Sequence, residues 1–141
     1  MRLAIKRMRD NAKMPERAHH NDAGMDLFAT EEDVIPVGKK KVFGTGIAMA
    51  IPDGYVGLIW DKSGLAANHG LTCLGGVIDA QYRGEIFVTL ANLGDEDYTI
   101  TEGQKIAQML IQRVRLPLIE EVGELDETER GEGKFGSTGT H

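Results

Sequence analysis

The chain is poor in cysteine, aromatics and proline, and it has no long apolar run. A single cysteine, Cys73, in 141 residues rules out an internal disulfide. That fits a reducing compartment, so a cytoplasmic location is expected. No stretch approaches the roughly 18 consecutive apolar residues that a membrane-crossing helix needs. The charged start, Met1-Arg2-Leu3-Ala4-Ile5-Lys6-Arg7, has no apolar segment behind it. Neither a membrane association nor a secretory signal is therefore expected. Basic residues are outnumbered, 16 Lys and Arg against 22 Asp and Glu, giving a net charge of −6. A nucleic-acid partner needs a basic face, and none is expected here. His19, His20, His69 and His141 lack the spacing of metal ligands.

What the chain does have is an ordinary apolar share, 41%, and many glycines, 18 of them. The length suits one domain with its own core. Glycines punctuate short apolar runs at Val42-Phe43, Ile47 to Ile51, Tyr55 to Trp60, Val77-Ile78, Ile86 to Leu90 and Ile106 to Ile111. Short strands with turn signals at roughly ten-residue spacing read as an all-β sandwich or barrel. Pro52-Asp53-Gly54 reads as a tight turn. One short helix is expected, capped by Ser63, running through Asn68 and ended by Gly70. Phe43 and Trp60 are expected in the core, and Cys73 as a small buried residue. After Pro117 the sequence turns acidic and then becomes a Gly/Ser/Thr tail. Such a segment cannot make a core. It reads either as a frayed end or as an arm that orders over a ligand.

Several residue groups carry chemistry, and each also has a plainer reading. Asp26 in Ala23-Gly24-Met25-Asp26-Leu27 reads as a turn residue entering a strand. Asp61-Lys62-Ser63-Gly64 places a cation and a hydroxyl at the start of the expected helix, an arrangement suited to phosphate. It is not a Walker loop. Asp79 follows the apolar Gly75-Gly76-Val77-Ile78 and precedes Tyr82-Arg83-Gly84. It is either a general base or an ordinary turn carboxylate. Gly103-Gln104-Lys105-Ile106-Ala107-Gln108 reads as a turn entering a strand, with Gln108 directed inward.

No one group decides among these readings, but five in this order do. Ala23 to Leu27, Lys62 to Ala66, Gly76 to Asp79 with Tyr82-Arg83-Gly84, Gly103 to Gln108, and Arg130-Gly131 with Phe135-Gly136-Ser137-Thr138-Gly139 resemble the five motifs of the homotrimeric dUTP diphosphatases. The resemblance covers about residues 20 to 140. It implies a dUTPase-like jelly-roll β-barrel over residues 1–118, with an acidic linker and flexible arm over 119–141 that closes on the site. It further implies a homotrimer with interfacial active sites and hydrolysis of dUTP to dUMP and pyrophosphate. The reaction would supply dUMP for thymidylate synthesis and keep uracil out of DNA. Mg2+ would be held mainly by substrate phosphates and water, with Asp26 as a nearby carboxylate.

The resemblance assigns Asp79 the activation of the attacking water, and Tyr82 the packing on deoxyribose that excludes a 2′-hydroxyl. The backbone from Leu71 through Gly76, Val77 and Ile78 would read uracil. Lys62, Ser63 and Gly64 would hold phosphates. Gln108 would contact the phosphate region and its water. Arg130, Phe135, Gly136, Ser137 and Thr138 would form the arm, with Phe135 over the base. Lys62 stands where the family usually has Arg, Asp61 where Pro is common, Ala80-Gln81 where Ser-Asp or Glu-Asp is usual, and Lys134 where Gly is usual. Two alternatives are weighed. A dCTP deaminase of the same fold would need a glutamate where Thr89 stands. A module that binds nucleotide without turnover would not need Asp79, Tyr82 and Phe135.

Overall fold

Short apolar runs broken by turn residues form the strands, some alternating between faces and others, such as Met25–Phe28 and Ile47–Ala50, covered on both. A computed structural model describes residues 1–136. Its strands, in chain order, are β1 (Ala4–Arg7), β2 (Met25–Phe28), β3 (Asp33–Ile35), β4 (Lys40–Gly44), β5 (Ile47–Ala50) and β6 (Tyr55–Trp60). After helix α1 (Ser63–His69) come β7 (Leu71–Leu74), β8 (Val77–Ile78), β9 (Phe87–Asn92), β10 (Tyr98–Ile100) and β11 (Lys105–Arg113). The fold is all-β and jelly-roll-like, with one short helix, as expected.

The strands pair in four groups, in the orders β2-β11-β6-β8, β4-β9-β7, β1-β5 and β10-β3, every pairing antiparallel. They enclose one core. Leu27, Ile35, Phe43, Ile47, Leu71, Leu90, Ile100, Ile106 and Met109 are all buried, each from a different strand except the last two. Phe43 is in the core, as expected. β11 is the longest strand and joins β2 to β6. A register shift between Lys105 and Ala107 lets both Ile106 and Ala107 turn inward.

Two expectations are corrected. Trp60 is 57% exposed, because β6 directs Gly57 and Ile59 inward and Leu58 and Trp60 to the other face. Ser63 does not cap α1. Lys62 occupies the capping position in an extended conformation and its carbonyl accepts the Ala66 N–H at 3.0 Å, so Ser63 is the first helical residue. Gly70 ends the helix in the left-handed conformation, as expected, and the Pro52-Asp53-Gly54 turn closes with Tyr55 N donating to Pro52 O at 3.1 Å.

The last strand ends at Arg113, and every residue from 115 to 136 is exposed. A chain ending at Glu129 should therefore melt within about 2 °C of the full chain, since the described part of the deleted segment buries nothing. Thermal denaturation of the two chains measures this. A drop of 5 °C or more would place the segment among the stabilising parts of the fold.

Candidate active site

The central sheet sets out the first half of the site. Across its strands Asp26 of β2 pairs with Gln108 of β11, and Gln108 pairs with Trp60 of β6. The chain leaving β6 carries Asp61 and Lys62 back over this row. Asp26 is buried, with 3% exposure. Lys62 Nζ lies 2.5 Å from its Oδ1 and Lys105 Nζ 3.1 Å from its Oδ2. Burial pushes the Asp26 carboxyl upward, but hydrogen bonds and charge from Lys62 and Lys105 outweigh that and hold it below its ordinary 3.8. Gln108 Nε2 donates to the Asp61 carbonyl at 2.8 Å. Gly24 makes room for it, since a Cβ at that position would overlap the Gln108 side chain. Gly24, Asp26, Asp61, Lys62 and Gln108 line an open cleft of about 540 Å³ with Ser63 on its wall. Gly64 follows, exposed, in the first turn of α1.

The second half lies across β6. Gly75 and Gly76 join β7 to β8 with φ of +68° and +104°, so the turn itself requires glycine there. The Gly76 carbonyl accepts the Ile59 N–H at 2.9 Å. With Trp60, Asp61, Cys73 and Val77 these residues line a groove of about 270 Å³. Ile78 is half-buried, and Asp79 stands exposed just past β8. The Asp79 carbonyl accepts the Tyr82 N–H at 3.1 Å, and the Tyr82 hydroxyl donates to the Glu85 carbonyl at 2.7 Å. Gly84 lets the ring lie there, because a Cβ would come within 2.5 Å of the Tyr82 oxygen. Glu85 is in turn held by Arg9 at 3.1 Å and by the Gly46 N–H at 3.2 Å.

Trp60 and Asp61 line both clefts, but one chain keeps Asp26 and Asp79 apart. β8 is three strands from β2, and the pairing of Ile78 with Gly57 places Asp79 about four residues down β6 from the Trp60 row. Strand spacing and rise make that about 14 Å across and 13 Å along, roughly 20 Å in all. The arm joins neither half. Phe135 and Gly136 are exposed, Arg130 donates to the Gly133 carbonyl at 3.0 Å, and Ser137 and Thr138 lie outside the described residues. Two residues that sequence reasoning did not select sit at the heart of the site. Lys105 lies inside a quoted motif but gave no sign that it faces Asp26. Asp61 was visible only as a departure from a common proline.

Fold and clefts together define a class: a small β-barrel protein whose open cleft presents Lys62 and the Ser63 hydroxyl, groups suited to a phosphorylated ligand. Similarity to known proteins makes the class specific. A dUTPase family model matches residues 10–139. The deoxyuridine 5′-triphosphate nucleotidohydrolase of Clostridium kluyveri is 49% identical, over 99% of this chain and 99% of its own. That of Corynebacterium glutamicum is 51% identical, over 97% of this chain and 94% of its own. The dUTPase of Staphylococcus bacteriophage 80alpha, solved with dUPNHPP, superposes with a TM-score of 0.92 at 33% identity, over 98% of both chains. A variant dUTPase of phage phi11 of S. aureus, whose structure details the coordination of a structural Mg(II) ion, superposes with a TM-score of 0.82 at 32% identity, over 88% of this chain and 98% of that one. The chain belongs to the dUTPase family, and its enzyme class is that of a deoxyuridine 5′-triphosphate nucleotidohydrolase.

The charged state of Asp26 should be measurable as stability. Its folded-state pKa lies below its unfolded one, so its contribution is fully present above about pH 4 and fades as the pH falls through the lowered value. Asp26→Asn leaves two lysines facing each other without their partner. The loss at pH 7 should be on the order of 2–3 kcal/mol, below the 3–5 of a fully buried pair because both lysines are partly exposed. Denaturant titrations of both chains at pH 7 and pH 3 test this, and the difference should shrink at the lower pH. A difference independent of pH would show that shape, not charge, matters at this position.

Proposed function

We propose that the chain hydrolyses dUTP to dUMP and pyrophosphate by attack of water on the α-phosphorus, with Asp79 as the general base. Asp79 takes a proton as the water oxygen bonds to phosphorus, and the bridging oxygen leaves with pyrophosphate. The observation that carries this reading is the exposed Asp79 beside the Gly75-Gly76 turn and next to a tethered Tyr82. On this reading the hairpin backbone from Gly76 to Ile78 meets uracil, and the Tyr82 ring packs on deoxyribose where a 2′-hydroxyl would go. Lys62, Ser63 and Gly64 hold phosphate oxygens, and Gln108 orders the phosphate region from its tether on Asp61. Arg130, Phe135, Gly136, Ser137 and Thr138 complete the site as an arm, Phe135 covering the base. The phage 80alpha relative was solved with dUPNHPP, which supports the substrate.

A single chain holds Asp26 and Asp79 roughly 20 Å apart, a span that one triphosphate does not bridge. We infer that each site is assembled from different copies of the chain, consistent with a homotrimer. An apolar row on the outward face of the β4-β9-β7 sheet supports association. There Val42, Thr89 and Leu74 share one cross-strand row, and Phe87 stands beside it, 47% exposed.

The residues fit a Mg2+ that arrives on the triphosphate. Both Asp26 oxygens already face lysines, and no cluster of three or more His, Cys, Asp or Glu residues suited to a metal occurs among the described residues. Such an ion would rest on phosphate and water, with Asp26 as a nearby carboxylate. When bound it supplies neutralisation of phosphate charge. The reading extends to a cytoplasmic role, consistent with the single cysteine. There the product dUMP would serve thymidylate synthesis, and removal of dUTP would keep uracil out of DNA.

Incubation with dUTP and with dCTP, assayed for pyrophosphate and for ammonia, tests the reaction. Pyrophosphate from dUTP alone is expected, and ammonia from dCTP would mark a deaminase instead. Asp79→Asn should lower kcat by at least 10²-fold, the lower end of general-base contributions, while dUTP still binds. UTP should be a poor substrate by kcat/KM. A kcat for Asp79→Asn above a tenth of wild type would remove Asp79 from the base role, and equal kcat/KM for UTP and dUTP would do the same for the assigned role of Tyr82.

A further inference from the structure

We propose that Asp61 is a positioning residue that fixes the phosphate loop and the base-reading hairpin against each other, which rests on the reading that both clefts bind substrate. Asp61 sits between the end of β6 and the start of α1 and lines both clefts. All its acceptor oxygens are engaged. Oδ1 accepts the Cys73 N–H at 2.6 Å, and Oδ2 accepts the Thr72 hydroxyl at 2.7 Å. Its main-chain carbonyl accepts Gln108 Nε2 at 2.8 Å. One residue thus ties β7, which leads into the Gly75-Gly76 turn, to the segment carrying Lys62 and Ser63, and orients Gln108 as well.

The bonds are built for a carboxylate. Cys73 N and the Thr72 hydroxyl are successive donors on β7, and an ionised carboxylate offers two acceptor oxygens at matching spacing. The Cys73 thiol also feels the Asp61 carboxylate. Burial first, then the hydrogen bond and charge of Asp61, push it up to about 12. Thr72 also lies on the outward face of the β4-β9-β7 sheet, so its hydroxyl is turned to Asp61 rather than into the core.

Loss of these bonds frees two segments that meet substrate without removing any group that reacts. The effect should therefore fall on KM. In Asp61→Ala, KM for dUTP should rise at least tenfold while kcat changes less than threefold. Asp61→Asn keeps one acceptor for Cys73 N and offers its amide N–H to the Thr72 oxygen, which can accept as well as donate. It should restore KM to within about threefold of wild type. Thr72→Val should raise KM on its own but add little in the Asp61→Ala background, since both remove the same contact. The experiment is steady-state dUTP hydrolysis by the four variants (Asp61→Ala, Asp61→Asn, Thr72→Val and the double variant) and wild type, with thermal melting of each. The expected pattern is a KM defect that Asn rescues in proteins that melt near wild type. An unchanged KM in Asp61→Ala, or additive effects in the double variant, would overturn the proposal. If Asp61→Ala is too unstable to assay, Thr72→Val decides alone, and wild-type KM there would overturn it. Failure of wild type to hydrolyse dUTP would instead overturn the functional reading beneath it.

Discussion

A carboxylate as buried as Asp26 would ordinarily be neutral, because leaving water penalises the charge. It stays ionised because two lysines reach it from different parts of the chain, Lys62 ahead of α1 and Lys105 at the first residue of β11. This triad joins β2, β11 and the loop after β6 at one point. The mutual attraction positions the loop that carries Ser63, and it sets two cations around one carboxylate beside the cleft. The chain as a whole is net −6, so long-range attraction cannot gather a polyanionic ligand. Local charge must do so, and the triad is where the structure concentrates it.

The remaining architecture keeps polar groups in register with that point. β11 runs between β2 and β6, so one strand sets the heights of Asp26, Gln108 and Trp60 together. Gly24 leaves space for Gln108, and Gly84 leaves space for Tyr82. Tyr82, Glu85 and Arg9 form a second chain of bonds that anchors the turn after Asp79 to the N-terminal segment. The two halves are rigid for separate reasons. Charge pins one, and main-chain hydrogen bonds together with the Arg9–Glu85 ion pair pin the other.

Much of this was legible in the sequence, and what was not has physical causes. The strands could be read from apolar runs broken by turn residues, and Gly70 and the Pro52-Asp53-Gly54 turn marked their places through backbone conformation. Trp60 was misplaced because an apolar run does not reveal its phase; the partner strand decides which face is inward. Asp26 looked like a turn residue because its two lysines lie 36 and 79 positions away. The order of five motifs pointed to the family, yet no spacing could tell that Asp61 reaches Thr72 and Cys73. That contact depends on how α1 folds the chain back toward β7. The arm residues were read from resemblance alone, and those described lie away from both clefts.

The distance between Asp26 and Asp79 has a genetic consequence. On the proposed reading each chain lends its phosphate half to one site and its carboxylate half to another. Two inactive chains, one damaged at Lys62 and the other at Asp79, would then meet in mixed assemblies. Some sites there would draw both sound halves from different partners. A lesion in one half could thus be masked by a lesion in the other, and two null alleles expressed together would behave as a partly working gene.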